Sequence, residues 1–436
     1  MGKTLEQMIL RGIGQEKAHI ARMPLAEAEA YIRPLVVRLR TLSEVEELEI
    51  AGSFRRRRDT VGDVDILVAS SHPAPIATAF VTYTDVNEVL ARGETKCSIR
   101  LRSGLQVDLR IVPRASYGAA LHYFTGSKPH NIAVRLLGLK RHLKINEYGI
   151  FRGAKQIGGR TEEEVFKAVG LPWISPELRE NHGEIEAARE GRLPALVEFA
   201  NIRGDLQMHT DATDGKHTLA EMVEACRKLG YEYLAITDHT KAVRVAGGLT
   251  KAGFHKQAHA IEAIRQGVSK PFVFTGAEVD ILDDGSLDLD DETLAAFDVV
   301  LVSVHSKFNM SKAEMTRRVV RALQHPRVHM LGHPTDRLLG KREPYPVDLS
   351  EVIKAARDHG VMLEINAQPN RLDLNDVYVQ MAREAGVKLV INTDAHRAQE
   401  LRCMRYGVDQ ARRGWCEAKD VANTYHLTAF RKLLQK

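Results

Sequence analysis

Two sets of side chains in this chain have the types and spacing to do chemistry. The first is acidic. Asp63 and Asp65 stand two apart in GDVDILVAS, so on a strand both carboxylates project from one side. A third acid, Asp108, lies in the strand-like LQVDLRIV. Three carboxylates on one sheet edge form a hard-oxygen site for two magnesium ions, an arrangement suited to phosphoryl displacement. Upstream, Gly52-Ser53 lets a backbone turn approach a phosphate, and Arg55 to Arg58 offer charge for a triphosphate. The second set mixes imidazoles and carboxylates. His209, His239, Glu278, His305 and His333 each close an apolar run, Asp394 and His396 close the last, and Asp214 in HTDATDG can reach back toward His209. One histidine at a strand end is ordinarily a satisfied polar group; a whole series is not. Without thiolates the set suits zinc, manganese or iron better than magnesium alone. It is too large for one tetrahedral ion and fits two or three ions sharing bridging carboxylates.

The elements that must position the second set are legible as a rhythm. DLQMH, YLAITDH, FVFTGAE, VVLVSVH, VHMLGH, VMLEINA and KLVINTDAH read as strands. TLAEMVEACRKLG, DLSEVIKAARDHG and DVYVQMAREAG read as amphipathic helices, with Thr218 and Asp348 as caps and Gly230, Gly360 and Gly386 as stops. Seven such units argue for a closed or nearly closed β/α barrel, whose C-terminal strand ends converge on one face. Asp394 and His396, two apart, are expected to point the same way on an extended strand.

Bulk properties bound the partners. The chain has 436 residues, a net charge of +5 and four scattered cysteines, which suggests several domains in a reducing compartment. No apolar run reaches the length of a membrane span and no signal-peptide core opens the chain, so a cytoplasmic location without membrane contact is expected. Between Lys96 and Arg160 there are thirteen Lys or Arg against two acids, Asp108 and Glu147. A stretch this one-sided faces phosphate more often than solvent alone. Glu162 to Glu198 is acid-rich, carries Pro172, Pro176 and Pro194, and reads as a connector with short helices such as the one in GEIEAAREG.

These motifs support two resemblances. DLQMHTDATDG, ITDH, Glu278, SVHS, GHP and TDAH resemble the PHP (polymerase and histidinol phosphatase) family, a distorted β/α barrel with a three-metal cluster. That implies ligand roles for His209, Asp214, His239, Glu278, His305, His333, Asp394 and His396. The family's first motif usually reads His-x-His, and here Gln207 takes the first position. AGSFRRRRDTVGDVDILVAS and YFTGSKPHNIAVR resemble the nucleotidyltransferase palm of family X DNA polymerases. That implies catalytic, metal-binding roles for Asp63, Asp65 and Asp108. It implies nucleotide contacts at Gly52, Ser53, Arg56, Gly62, Tyr123, Phe124, Gly126 and Asn131, with Arg135 near the primer end on DNA.

The whole chain resembles the bacterial and archaeal family X polymerases with a C-terminal PHP domain. The implied architecture is α/β and α+β multidomain. It comprises a helical segment (1–50), a palm (51–115), a thumb-like region (116–170), a connector (171–202) and a distorted (β/α)7 PHP barrel (203–436). The family's lyase-like domain and helix-hairpin-helix repeats are not seen ahead of the palm, and RGIG at 11–14 is too slight to count as one. The implied activity is DNA repair. Nucleotidyl transfer from dNTPs on Mg2+ is joined to 3′–5′ exonuclease or 3′-end phosphoesterase action on two or three Mn2+, Zn2+ or iron ions. The alternative is a PHP nuclease or phosphatase whose palm only holds DNA.

Overall fold

The computed structural model describes residues 22–267 and 270–435, so the expectations placed on residues 1–21, RGIG included, lie outside the described residues. The chain divides into two compact units, 1–193 and 194–436.

In the first unit, helix Leu25–Arg40 buries Leu25, Ala28, Ile32, Leu35, Val36 and Leu39, the three-to-four spacing that makes one face apolar. Residues 47–50 were expected to belong to a helical segment. They form instead the edge strand Glu47–Ile50, paired antiparallel to Asp63–Ala69 from Ile50–Ile66 to Glu47–Ala69. The alternation Glu-Leu-Glu-Ile is a strand pattern, too short to show its period against the preceding helix. The five-stranded sheet runs Glu47–Ile50, Asp63–Ala69, Gln106–Val112, Lys96–Leu101, Val86–Arg92. Only the pair Asp63–Ala69 and Gln106–Val112 is parallel. Helix Tyr117–Thr125 covers the sheet, packing Tyr117, Ala120 and Leu121 on Ala51, Leu67 and Ala69. Helix Lys128–Leu139 follows, with the Ser127 hydroxyl capping it at the His130 amide, then a three-stranded sheet (144–158) and helix Glu162–Ala168.

The stretch 171–202, expected as a connector, is divided between the two units. Residues up to 193 belong to the first unit, where Arg179 is wholly buried and paired with Glu162, and Glu184 is wholly buried and paired with His130. A buried charge is tolerated only with such a partner, so these ion pairs fasten the stretch down. From 194 onward it belongs to the second unit, where Val197 joins the core.

The second unit is the expected barrel. Seven parallel strands follow in sequence order: Gly204–Asp205, Tyr233–Ile236, Phe272–Asp280, Val299–Ser303, Met330–Leu331, Met362–Asn366 and Leu389–Asn392. An isolated bridge from Met208 to Ala395 brings the last strand's continuation back to the first, so the barrel is nearly closed. Its strands are apolar on both faces, as parallel strands buried on both sides must be. Ala235, Leu301, Met330 and Val390 fill the interior, and Phe430 of helix Leu427–Leu434 stacks on Tyr233 at the N-terminal end. Residues one position along, such as Leu234, Val300, Leu331 and Ile391, pack against the surrounding helices. Thr218 and Asp348 cap their helices as expected, and Gly230, Gly360 and Gly386 end theirs at positive φ.

Candidate functional site

The acidic set is assembled by strand register. Asp65 sits directly opposite Asp108 on the neighbouring parallel strand, and Asp63 precedes Asp65 by one strand repeat on the same face. Burial, with repulsion from Asp63 and Asp108, pushes the Asp65 carboxyl up to about 7. Such a crowded set of carboxylates is relieved by a divalent cation. Gly52 lies against it at φ +63°, and a Cβ there would stand 2.6 Å from Asp65 Oδ2. Only glycine lets the Gly52-Ser53 backbone come this close.

The arginine run behaves unevenly. Arg55 was expected to offer charge to a triphosphate. Its guanidinium instead holds both Glu162 oxygens at 2.8 Å and the Thr125 hydroxyl at 2.7 Å, all within the fold. A buried carboxylate claims the nearest fixed guanidinium, and Glu162 is far away in sequence. Arg56 donates to the Thr125 carbonyl and meets Glu180 at 3.1 Å. Ser53 is half-buried, while Gly62 and Asp63 are exposed. Tyr123 and Phe124 pack edge to face at 5.2 Å, with the Arg110 guanidinium 5.1 Å from the Phe124 ring. Asn131 donates to the Tyr123 carbonyl at 2.7 Å, Gly126 turns the chain at φ +71°, and Arg135 is exposed on its helix.

The second set converges at the C-terminal ends of the barrel strands. Its ligand atoms form three groups, each with all members within 4.8 Å: His209, Asp214, His239 and His396; His239, Glu278 and His305; His209, Glu278 and Asp394. Glu278 is shared, with Oε1 3.3 Å from His305 and 2.9 Å from His333, and Oε2 3.2 Å from His239 and 3.4 Å from His209. Asp214 reaches His396 at 3.3 Å, His239 at 3.6 Å and His209 at 4.0 Å. The eight expected ligands are thus together. His209 Nδ1, His239 Nδ1, His333 Nδ1, Asp214 Oδ1 and Glu278 Oε2 are buried without a hydrogen-bond partner. So many orphaned donors and acceptors in one bowl are what a metal cluster would satisfy, and the donor set fits such ions.

Protonation across the bowl is uneven. Burial pulls His305 down, but Glu278 and the Asp280 hydrogen bond outweigh it and raise it to about 10. Burial likewise opposes charge on His396, yet Asp214 and Asp394 lift it to about 9. Burial drops His239 to about 3. Asp394 and His396 do not share an extended strand, because Asp394 turns at φ +50°. His396 still reaches the bowl, with Nδ1 held by the Asp394 carbonyl at 2.9 Å and Nε2 turned to Asp214.

Sequence reasoning missed the supporting groups. Asp280 fixes His305 Nδ1 at 3.0 Å, and the Asn366 amide donates to Asp394 Oδ2 at 3.1 Å. Arg371, one-fifth exposed, has Nε 3.8 Å from Asp394 Oδ2 and is also paired with Asp336. Its loop is held by Arg337, whose guanidinium donates to the Arg371 and Leu372 carbonyls. The Asp280 position, two after Glu278 on one strand face, was the one readable signal.

Comparison with known proteins agrees with this geometry. Family models match as DNA polymerase beta palm over 22–92, DNA polymerase beta thumb over 120–180 and PHP domain over 205–368. The chain is 38% identical over 439 residues to the DNA polymerase/3'-5' exonuclease PolX of Bacillus subtilis, covering 100% of this chain and 77% of that protein. Over part of its length the chain is also similar to probable phosphatases. That of Acetivibrio thermocellus is 30% identical over 206 residues, 45% of this chain and 80% of that protein. That of a Thermoanaerobacter species is 26% identical over 204 residues, 44% and 78%. With polymerase palm, thumb and PHP barrel in one chain and this degree of identity along its full length, the chain belongs to the family X DNA polymerases that carry a PHP domain.

Proposed function

We propose that the first unit transfers a nucleotide from a dNTP to a primer 3′ end, and that the barrel hydrolyses phosphoester bonds at the same kind of end. The observation that carries the first half is the in-register pair Asp65 and Asp108, with Asp63 on their face and the Gly52-Ser53 backbone beside them. Asp63, Asp65 and Asp108 would hold two Mg2+ ions. Gly52, Ser53, Arg56 and Gly62 would border the triphosphate. Tyr123, Phe124, Gly126 and Asn131 would border the sugar and base, and Arg135 the primer end. Asn131 is itself positioned by the Tyr123 carbonyl, which ties the two nucleotide-facing segments together. Palm and thumb would extend over about 22–180, in keeping with the similarity to the polymerase beta palm and thumb.

In the barrel, His209, Asp214, His239, Glu278, His305, His333, Asp394 and His396 would hold two or three Mn2+, Zn2+ or iron ions. Such ions supply an activated water and neutralise charge on a phosphoryl group. The chain's own residues do the rest. Asp280 fixes which nitrogen His305 presents, and Asn366 fixes the Asp394 carboxylate. Arg371, at the edge of the cluster, would take a phosphate oxygen of the DNA strand. The 3′–5′ direction rests on the similarity to the Bacillus subtilis enzyme. The similarity to probable phosphatases favours removal of a terminal phosphate as the second reading for the barrel.

The test is one substrate set. A primer–template with all four dNTPs and Mg2+ should be extended. A 3′-labelled strand with Mn2+ should release mononucleotides. Extension absent under both metals, with hydrolysis intact, would leave the palm as a DNA-holding module. Release of inorganic phosphate alone from a 3′-phosphorylated strand would make the barrel a phosphatase.

A further inference from the structure

We infer that Gln207 is the missing donor of the metal position built by His209, Glu278 and Asp394, acting through its amide oxygen and making that position the most oxygen-rich of the three. The inference rests on the metal-centre reading of the barrel and deepens it. Gln207 is wholly buried, and neither Oε1 nor Nε2 has a hydrogen-bond partner among the described residues. A buried amide with both ends unpaired is unfavourable, and folded interiors rarely keep one without an ion or water to satisfy it. The chain direction says where the amide lies. Met208 faces the helix layer, its sulfur 3.9 Å from Cys226. Gln207 and His209 flank Met208, which is bridged to Ala395, and local alternation would turn both the other way, the way His209 takes toward Glu278 and Asp394.

Donor counting singles out the same place. The group around Asp214 has four donors, of which His209 and His239 are shared with the other two groups. The group of His239, Glu278 and His305 gains a fourth in His333, whose Nε2 is 2.9 Å from Glu278. The group of His209, Glu278 and Asp394 has three, two of them shared with neighbouring groups. Gln207 stands two residues from His209, beside the position that lacks a donor. Its neutral amide oxygen is a hard ligand, which suits Mn2+ or Mg2+ better than an imidazole would and holds Zn2+ less well. The three positions therefore differ in metal preference, with the Gln207 position the most exchangeable.

The test reads metal binding, not turnover. Full-length protein is stripped with chelator and titrated with Mn2+ alone or Zn2+ alone. Free Mn2+ is followed by paramagnetic resonance, and retained metal by elemental analysis after desalting. Gln207→Leu, which keeps the volume and removes both donors, should weaken one Mn2+ position by about 10- to 100-fold and leave the other two unchanged. Gln207→His should raise Zn2+ retention at one position and shift its Zn2+-over-Mn2+ preference by about tenfold or more. Gln207→Glu, which keeps an oxygen donor, should retain Mn2+, and it serves as the readout if the leucine variant does not fold. Gln207→Leu with unchanged stoichiometry and affinities, or with all positions weakened alike, would overturn the assignment and leave Gln207 holding a buried water. Wild-type protein that retains no ion would instead overturn the metal-centre reading itself.

Discussion

The palm acids and the barrel cluster both sit on parallel strands, yet they are assembled on different principles. In the palm, two neighbouring strands in register are enough: Asp65 faces Asp108, and Asp63 follows from the strand repeat. All three groups are carboxylates, and Asp63 is exposed. In the barrel the grouped side chains come from the ends of nearly every strand, are mostly imidazoles, and are buried except for Asp214, His305 and His396. An open, all-oxygen set would exchange hard divalent ions readily. A largely buried, nitrogen-rich set would hold its ions longer. One chain can thus offer two donor sets of different hardness, one all oxygen and one rich in imidazole.

The largest effects should come from breaking one site at a time. Asp63→Ala, Asp65→Ala or Asp108→Ala should lower primer extension by more than about 100-fold and leave hydrolysis unchanged. His209→Ala, His239→Ala, Asp394→Ala or His396→Ala should do the reverse, since loss of a direct ligand exceeds the roughly 10–100-fold typical of supporting residues. Extension and hydrolysis are measured on the same preparations. A folded palm variant that loses both activities would end the comparison as drawn. Brief chelation sharpens it: extension should return at once on adding Mg2+, and hydrolysis only after incubation with Mn2+ or Zn2+.

Next in size is an effect on stability. Burial opposes charge on Glu162, but Arg179 and Arg55 outweigh it and hold the carboxyl well below the usual range. A depressed carboxyl contributes stability above its unfolded value of about 4.3, and that contribution is lost as pH falls toward the lower folded value. Glu162→Gln should strip the partner from two guanidiniums and destabilise the first unit by about 3–5 kcal/mol. Trp173 donates to Glu162 at 3.3 Å and is a local reporter. Urea unfolding followed by its fluorescence, in a Trp415→Phe background, should show a midpoint that falls with pH below about 4 in wild type and not in Glu162→Gln. Equal midpoints for the two proteins at pH 7 would show that the ion pairs do not fasten this unit.

Arg371 is a smaller case. If its guanidinium takes a strand phosphate, Arg371→Ala should cost about 1.5–3 kcal/mol, the worth of a hydrogen bond to a charged group. That should appear mainly as a higher KM for hydrolysis, with bound metal and primer extension unchanged. Loss of metal together with rate would instead make Arg371 a support for Asp336 and Asp394.

These residues also show what a sequence carries. Strand-borne pairs were legible because a strand repeats every two residues, so Asp63 and Asp65 announce a shared face. The barrel ligands were legible because each closes an apolar run and parallel strands bring their ends together. Arg371 was not, because it lies in a loop whose path is set by Arg337 and by a bridge from Asn366 to Asp373. The role of Arg55 was misread for the same reason: its partner Glu162 is brought near only by the packing of helix Glu162–Ala168 against Tyr117–Thr125. Asp394 and His396 came to the right place by another route, a left-handed turn instead of a continued strand.

The smallest expected effect tests whether the basic stretch of the first unit holds DNA through phosphates alone. Arg135 is exposed on helix Lys128–Leu139, with Lys128 and Lys140 exposed at the two ends of that helix. Each phosphate neutralised on duplex DNA contributes about −0.9 to the slope of log affinity against log salt. Arg135→Ala should therefore weaken binding to primer–template DNA alike for all sequences and make the slope shallower by about 0.9. The readout is a fluorescence-anisotropy titration across a salt series, with Lys354→Ala on the barrel as the control expected to leave the slope unchanged. If Arg135→Ala weakens binding for one primer-end sequence only, with the slope unmoved, Arg135 reads a base edge and the first unit grips DNA by more than charge.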